Sequence, residues 1–277
     1  MENPKVRIED IWKAELAILD AVDRFCAAHG LRYSLAYGTL LGAVRHKGFI
    51  PWDDDVDIMM PREDYDRFAA LWEAEPPEGF VLDRCEFHSG SSNNFSKVRK
   101  DHTTFLQFDT ERTNSRHKGI YMDVFPGDRV APGRFSRRVQ YVDFLLNLLY
   151  NRGYSSGTGG AREWGEKLLL KLIPKKKQLA LSLFFGRRSR RWNQRASGEY
   201  VFPSTFRDCR IYYPADLFED LERIPFQGKA FSAIRDRELA LRLEYGDYMQ
   251  LPPEEERVWK HHPIIVDFER NYEELPQ

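Results

Sequence analysis

In the segment IPWDDDVDIMM, Asp55 and Asp57 stand one residue apart at the start of an otherwise apolar run. On an extended strand this spacing sends both carboxylates to one face and turns Val56 and Ile58 to the core. Carboxylates held side by side repel each other and raise each other's proton affinity, so a fold that keeps such a pair is relieved by a cation between them. Magnesium suits that role, with manganese as its substitute: it accepts one or two carboxylates and completes its shell with water and phosphate oxygens. A bare Asp-x-Asp after a proline is often only a solvated turn. A calcium loop is the other rival, but Ile58, Met59 and Met60 stand where such a loop needs oxygen ligands and a glycine.

The surrounding residues favour a metal-phosphate site. Gly38 and Thr39 follow a strand-like stretch and open an apolar helical one. A glycine there lets the backbone approach a phosphate, and a helix N-terminus supplies unpaired N–H groups and a favourable dipole. Asp123, in GIYMDVFP, is a charge inside a second apolar strand and is the expected third carboxylate, as metal ligand or general base; a cap before Pro126 is its structural alternative. Arg45 and His46 end the glycine-opened helix, where cations either reach the phosphates or complement the helix C-terminus. Lys97 and Arg99 alternate in FSKVRK, so both project from one strand face toward a diphosphate, unless they merely protect a sheet edge. His261 and His262 are candidates for phosphate binding or proton transfer, although histidines are more often packed or solvated. Trp52, Tyr37 and Tyr121 are aromatic neighbours of the same site.

The elements that must position these groups alternate along the chain. Apolar residues from Ile8 to Phe25 recur at helical spacing, and His29-Gly30 supplies a stop. Leu31 to Tyr37 reads as a short strand and Val56 to Met60 as another, followed by a helix over 63–75. Strand-like pieces FVLDRCEF, FSKVRK, TTFLQFD and GIYMDVF fill residues 80 to 125, and a helix is expected near 232–245. This pattern predicts an α/β (α+β) fold in which helices flank a mixed sheet. The expected parts are a catalytic core over 1–130, a basic helical insertion or subdomain over 131–200, and a C-terminal part over 201–277 that packs back on the core.

Composition narrows the function classes. With 42 Lys and Arg against 43 Asp and Glu, the net charge of -1 gives no reason to expect a nucleic-acid partner. Charge is nevertheless uneven, since residues 129 to 198 hold 16 Lys or Arg and only three acids. There, GEKLLLKLIPKKK and FFGRRSRRW set apolar side chains beside dense positive charge, as suits an anionic membrane surface. Core helices with a solvated basic face account for the same pattern. Three scattered cysteines argue against a disulfide framework or a zinc site and for a reduced compartment. No signal-peptide core and no membrane-spanning apolar run is present, so the expectation is a cytoplasmic protein, peripheral on the inner face of the membrane if it meets lipid at all.

The run AYGTLLGAVRHKGFIPWDDDVDIMMPREDY, followed in order by FSKVRK, GIYMDVFP and YGDYMQLPPEEERVWKHH, resembles the LicD family, related to the fukutin-type phosphotransferases. The resemblance implies a nucleotidyltransferase-like fold. It further implies transfer of a substituted phosphate such as phosphocholine from a CDP-alcohol donor (CDP-choline or a similar compound) to a sugar hydroxyl of a free or lipid-linked glycan. By position, Gly38 and Thr39 match the family's phosphate-binding turn, Asp55 and Asp57 its metal pair, and Asp123 its third carboxylate. Asp53 and Asp54 match too, with a lesser role in shaping the loop or holding outer-shell water. Two other functions use the same features: nucleotidyl transfer to an alcohol phosphate, and a non-catalytic membrane or glycan adaptor.

Overall fold

The computed structural model describes residues 6–88, 93–107, 116–157, 159–194, 198–205, 207–259, 261 and 263–275. Its helices and strands confirm the mixed α/β class. In chain order they are α1 (Ile8–His29), β1 (Ser34–Leu35), α2 (Tyr37–His46), β2 (Asp57–Pro61), α3 (Arg62–Ala74), β3 (Phe80–Asp83), β4 (Ser96–Lys100), β5 (Thr104–Leu106) and β6 (Tyr121–Arg129). There follow α4 (Arg134–Arg152), α5 (Gly160–Leu172), α6 (Lys175–Arg190), β7 (Glu199–Val201), β8 (Tyr213–Pro214), β9 (Leu221–Phe226), β10 (Lys229–Ile234), α7 (Arg237–Tyr245) and β11 (Ile265–Asp267). Two compact units form: one from Met1–Asp83, Lys97–Val124 and Leu217–Gln277, the other from Arg84–Ser96 and Phe125–Asp216.

In the first unit the strands run side by side in the order β1, β2, β6, β4, β3. Val56, Ile58, Met59 and Met60 are all buried, so β2 is covered on both faces and not only on the one the alternation required. Helix α1 has the bounds its periodicity predicts: Ile11, Ile18, Leu19 and Val22 are buried, Glu9 and Asp10 sit in the first turn where the helix dipole favours them, and Gly30 closes it in the left-handed conformation. Phe25 carries the helix against Phe68 and Trp72 of α3. The C-terminal residues complete this unit. β11 pairs antiparallel with β5, and the Ser34 hydroxyl of β1 accepts from the Ile234 backbone N–H of β10 at 3.0 Å.

Three expectations need correction. The strand read over 31–37 shrinks to Ser34–Leu35 because α2 already begins at Tyr37. The stretch FVLDRCEF is a strand only to Asp83, and Cys85–Phe87 forms a 3-10 turn. The helix expected near 232–245 starts at Arg237, because residues 229–234 are β10 of a hairpin with β9. Gln227 and Gly228 form its two-residue turn with φ of +50° and +74°, the backbone twist that joins antiparallel strands without splaying them.

In the second unit α4 and α6 pack together. The Asn147 amide donates to the Ser182 carbonyl at 2.8 Å, and the Ser182 hydroxyl donates back to the Asn147 carbonyl at 3.0 Å. Val130, Phe144, Leu148, Val201 and Cys209 form a core beside them. All three cysteines are free and buried. Among the described residues no helix is long and apolar enough to cross a membrane.

Candidate active site

The acidic loop 53–57 is fixed by its backbone, which leaves its side chains to do chemistry. The Ala36 N–H donates to the Asp57 carbonyl at 3.0 Å, and the Asp123 N–H donates to the Val56 carbonyl at 2.8 Å, so α2's entry and β6 flank the loop. The Asp57 N–H donates to the Thr39 hydroxyl at 2.8 Å. Thr39 is buried, and this contact ties α2 to the start of β2. From α1, Trp12 stacks on Phe49 and donates its indole N–H to the Asp53 carbonyl at 2.7 Å. Gly38 answers a steric requirement, since a Cβ there would stand 2.2 Å from the Asp53 carboxylate. Just before it, Tyr37 holds a φ of +43°, a strained backbone for a bulky residue and of the kind that clusters at functional sites.

The structure brings Asp55, Asp57 and Asp123 together. Asp57 is buried, and burial followed by the charges of Asp55, Asp123 and Asp53 pushes its carboxyl well above the usual range, with Lys97 opposing. The Lys97 ammonium bonds Asp123 at 2.6 Å and lies 3.5 Å from the centre of the Tyr121 ring. Arg99 projects from the same strand face, 5.1 Å from the same ring, as the alternation in FSKVRK predicts. Its guanidinium is anchored by Asp83 at 3.0 Å and the Gly119 carbonyl at 3.1 Å, which gives it a structural task there. Tyr121 is buried and donates its hydroxyl to Gln107 at 3.1 Å.

His261 reaches the loop from the far end of the chain. Asp54, fully buried, accepts from the His261 backbone N–H at 3.2 Å and meets its ring Nδ1 at 3.1 Å; Asp55 lies 3.8 Å from the same nitrogen. Burial alone would lower the imidazole's pKa, but the Asp54 hydrogen bond and the charges of Asp55 and Asp54 outweigh it and carry the pKa above its usual value. His262 lies outside the described residues. His46 is exposed on the last turn of α2, and burial with the charge of Arg45 lowers its pKa. No contact among the described residues joins it to the acids.

Beside Gly38 and Asp53 opens a cavity of about 400 Å³ walled by Arg45, Trp52, Tyr245, Asp247 and Gln250. Arg45 donates to the Tyr248 carbonyl at 3.1 Å and keeps its buried Nε without a partner. Trp52 carries the Arg257 guanidinium 5.6 Å from its ring centre. Tyr245, Asp247 and Gln250 lie in the block YGDYMQLPPEEERVWKHH that the resemblance includes, but the sequence reading gave them no place in the site, because nothing local ties them to residues two hundred positions earlier.

Glu15 was missed as well. It is buried on α1, its Oε2 has no hydrogen-bond partner, and burial together with the charges of Asp55, Asp54, Asp53 and Asp57 pushes its carboxyl well above the usual glutamate range. A signal for it existed, since Glu15 falls on the buried stripe Ile11, Glu15, Ile18, Val22, where an acid is out of place.

These groups fit a hard divalent cation. The donors are carboxylates whose charges raise one another's proton affinity, and Glu15 of α1, whose charge they also feel, is buried with an orphaned oxygen. Asp55, Asp57 and Asp123 are the residues that would hold it. Among the described residues no group of three or more acidic, histidine or cysteine side chains is placed to hold a metal ion as it stands, so these three would have to draw closer around a cation and share it with phosphate or water oxygens. Glu15→Gln is accordingly expected to raise the thermal midpoint of the cation-free protein at pH 8, with a smaller rise at pH 5. It is also expected to weaken magnesium affinity about tenfold, as loss of a supporting group does. Calorimetry of parent and variant measures both.

Residues 30–144 match the family described as "LicD/FKTN/FKRP, nucleotidyltransferase domain". Over 261 residues the chain is 28% identical to the lipopolysaccharide cholinephosphotransferase LicD of Haemophilus influenzae, covering 89% of this chain and 92% of that one. It is 38% identical over 84 residues to the ribitol 5-phosphate transferase FKRP of Homo sapiens, covering 30% of this chain and 17% of the human protein. The Mus musculus protein of the same description matches to the same extent.

Proposed function

We propose, from the premise that the chain belongs to the LicD family through residues 30–144, that it is a phosphotransferase acting on a cell-surface glycan. The donor in this reading is a CDP-alcohol carrying a phosphocholine-like group, and the acceptor is a sugar hydroxyl on a lipid-linked glycan at the inner face of the membrane. The observation that carries it is the cluster of buried, mutually repelling acids beside Lys97 and the α2 N-terminus. That combination suits a cation-bridged diphosphate better than any neutral ligand.

Magnesium held by Asp55, Asp57 and Asp123 would supply neutralisation of the donor's diphosphate charge. The chain's own groups do the rest. The N-terminal turn of α2, which contains Gly38, presents backbone N–H groups to phosphate oxygens, and Thr39 keeps Asp57 in register with that turn. Lys97 offsets the charge of Asp123 and adds positive potential on the phosphate side. The acceptor oxygen forms a bond to the phosphorus that bears the alcohol while the bond to CMP breaks, and the acceptor proton passes to a carboxylate of the cluster. Asp54 holds His261 in place next to Asp55, where a protonated imidazole would stabilise the departing CMP.

A second reading for the transferred group, a polyol phosphate, is favoured by the local match to ribitol 5-phosphate transferases. Incubating the protein with magnesium and a panel of CDP-alcohols, with product detection by mass spectrometry, tests both. Release of CMP from one member supports phosphotransfer and identifies the alcohol. Release of pyrophosphate from a nucleoside triphosphate would instead indicate nucleotidyl transfer, and no turnover with either class would favour the adaptor.

A further inference from the structure

Helix α5 is amphipathic the wrong way round. Trp164, Leu168, Leu169 and Leu172 are 69%, 41%, 37% and 66% exposed, while the helix's one buried residue is the charged Glu166. Glu166 is fully engaged: it accepts from Arg152 at 2.9 Å, from Arg162 at 3.1 Å and from the Ser156 N–H. A helix of a water-soluble domain normally turns its apolar stripe inward. Residues 164, 168 and 172 lie one above another at successive four-residue steps, with 169 beside them, so the exposed side chains form one continuous strip. An apolar strip of this kind marks an interaction surface.

What covers the strip is indicated by charge. Lys171 sits in the last turn of α5, and Lys175, Lys176 and Lys177 open α6 three residues after Leu172; all four are exposed, and no ion pair among the described residues engages them. The dense positive charge would repel a basic protein surface and a second copy of itself, whereas apolar side chains flanked by lysines match an anionic bilayer, with rings and leucines at the acyl boundary and ammonium groups among headgroup phosphates.

We infer that α5 and the start of α6 form a docking surface for anionic lipid, entered by Trp164, Leu168 and Leu172 and held by Lys171 and Lys175 to Lys177. The inference extends the proposed function by naming the surface that would carry the chain to a lipid-linked acceptor. The binding itself is measured without turnover.

The test is co-sedimentation of the full chain with vesicles of phosphatidylcholine alone or of equal parts phosphatidylcholine and phosphatidylglycerol, at physiological salt. Binding to the anionic vesicles only is expected. Leu168→Glu with Leu172→Glu should lower the partition coefficient at least about tenfold, and replacing the four lysines by glutamine should do the same. Both variants should keep the parent's circular dichroism and its magnesium-dependent CMP release in the absence of vesicles. Failure of the parent to sediment, or sedimentation indifferent to the two leucines, overturns the inference. So does gel filtration showing a dimer that the double glutamate variant dissociates, because the strip is then covered by a second copy. Lack of CMP release by the parent would count against the proposed function alone and would leave the sedimentation result standing.

Discussion

Asp57→Asn should lose transfer by about a thousandfold or more, the scale on which enzymes lose rate when a preorganised charge-stabilising group is removed. The same variant should unfold at a temperature no lower than the parent's. These opposite signs follow from one cause. Asp57 is buried among Asp55, Asp123 and Asp53, so in the cation-free protein its charge is a cost that asparagine of nearly the same shape does not carry. The backbone bond from Asp57 to Thr39 uses only the N–H and survives the change. Turnover with a CDP-alcohol and a melting curve, taken on one preparation, read both effects. A variant that melts well below the parent would mean that Asp57 has a stabilising partner, and the cation-site reading would lose its main support.

Lys97→Met is expected to be damaging in both respects. The ammonium and the Asp123 carboxylate are 2.6 Å apart and both nearly buried, so methionine leaves a buried carboxylate without its cation. Breaking a pair of this kind typically costs about 3–5 kcal/mol, and transfer should fall about a hundredfold as positive charge leaves the phosphate side. Adding Asp123→Asn to Lys97→Met should restore most of the stability and none of the activity. Urea unfolding of the two single variants and the double variant isolates the coupling. Near-additive losses with negligible coupling would show that the pair does not act as a unit.

How much of this was legible in the sequence differs from residue to residue. Asp57 and Asp123 stand out because each interrupts an apolar strand, but Asp55 does not share β2, which starts only at Asp57, so the pair is carried by the 53–57 loop and not by one strand face as the alternation suggested. Helix α1 was readable to its last residue from spacing and the Gly30 stop. Lys97 and Arg99 were correctly placed on one face, but alternation cannot say that Asp83 and the Gly119 carbonyl hold Arg99, since that depends on which strands become neighbours. The β9–β10 hairpin was lost to an apolar run that suits either a buried strand or a helix; the Gln227-Gly228 turn was the local evidence against the helix. The contact of His261 with Asp54, and the cavity wall contributed by Tyr245 and Gln250, depend on long-range packing that no window of sequence encodes.

The central claim is that the acid cluster exists to hold a divalent cation, and thermal unfolding with and without magnesium at two pH values tests it most directly. Glu15 and Asp57 both have proton affinities raised by folding, so they favour the folded state where they are protonated, and this contribution is lost as pH rises through their folded pKa values. Without magnesium, the part of the stability that depends on the cluster should therefore be larger at pH 5 than at pH 8. Saturating magnesium should raise the midpoint strongly at pH 8 and little at pH 5, and Asp57→Asn should abolish most of that rise. A parent whose midpoint is indifferent to magnesium at pH 8, with or without a CDP-alcohol present, would contradict the account.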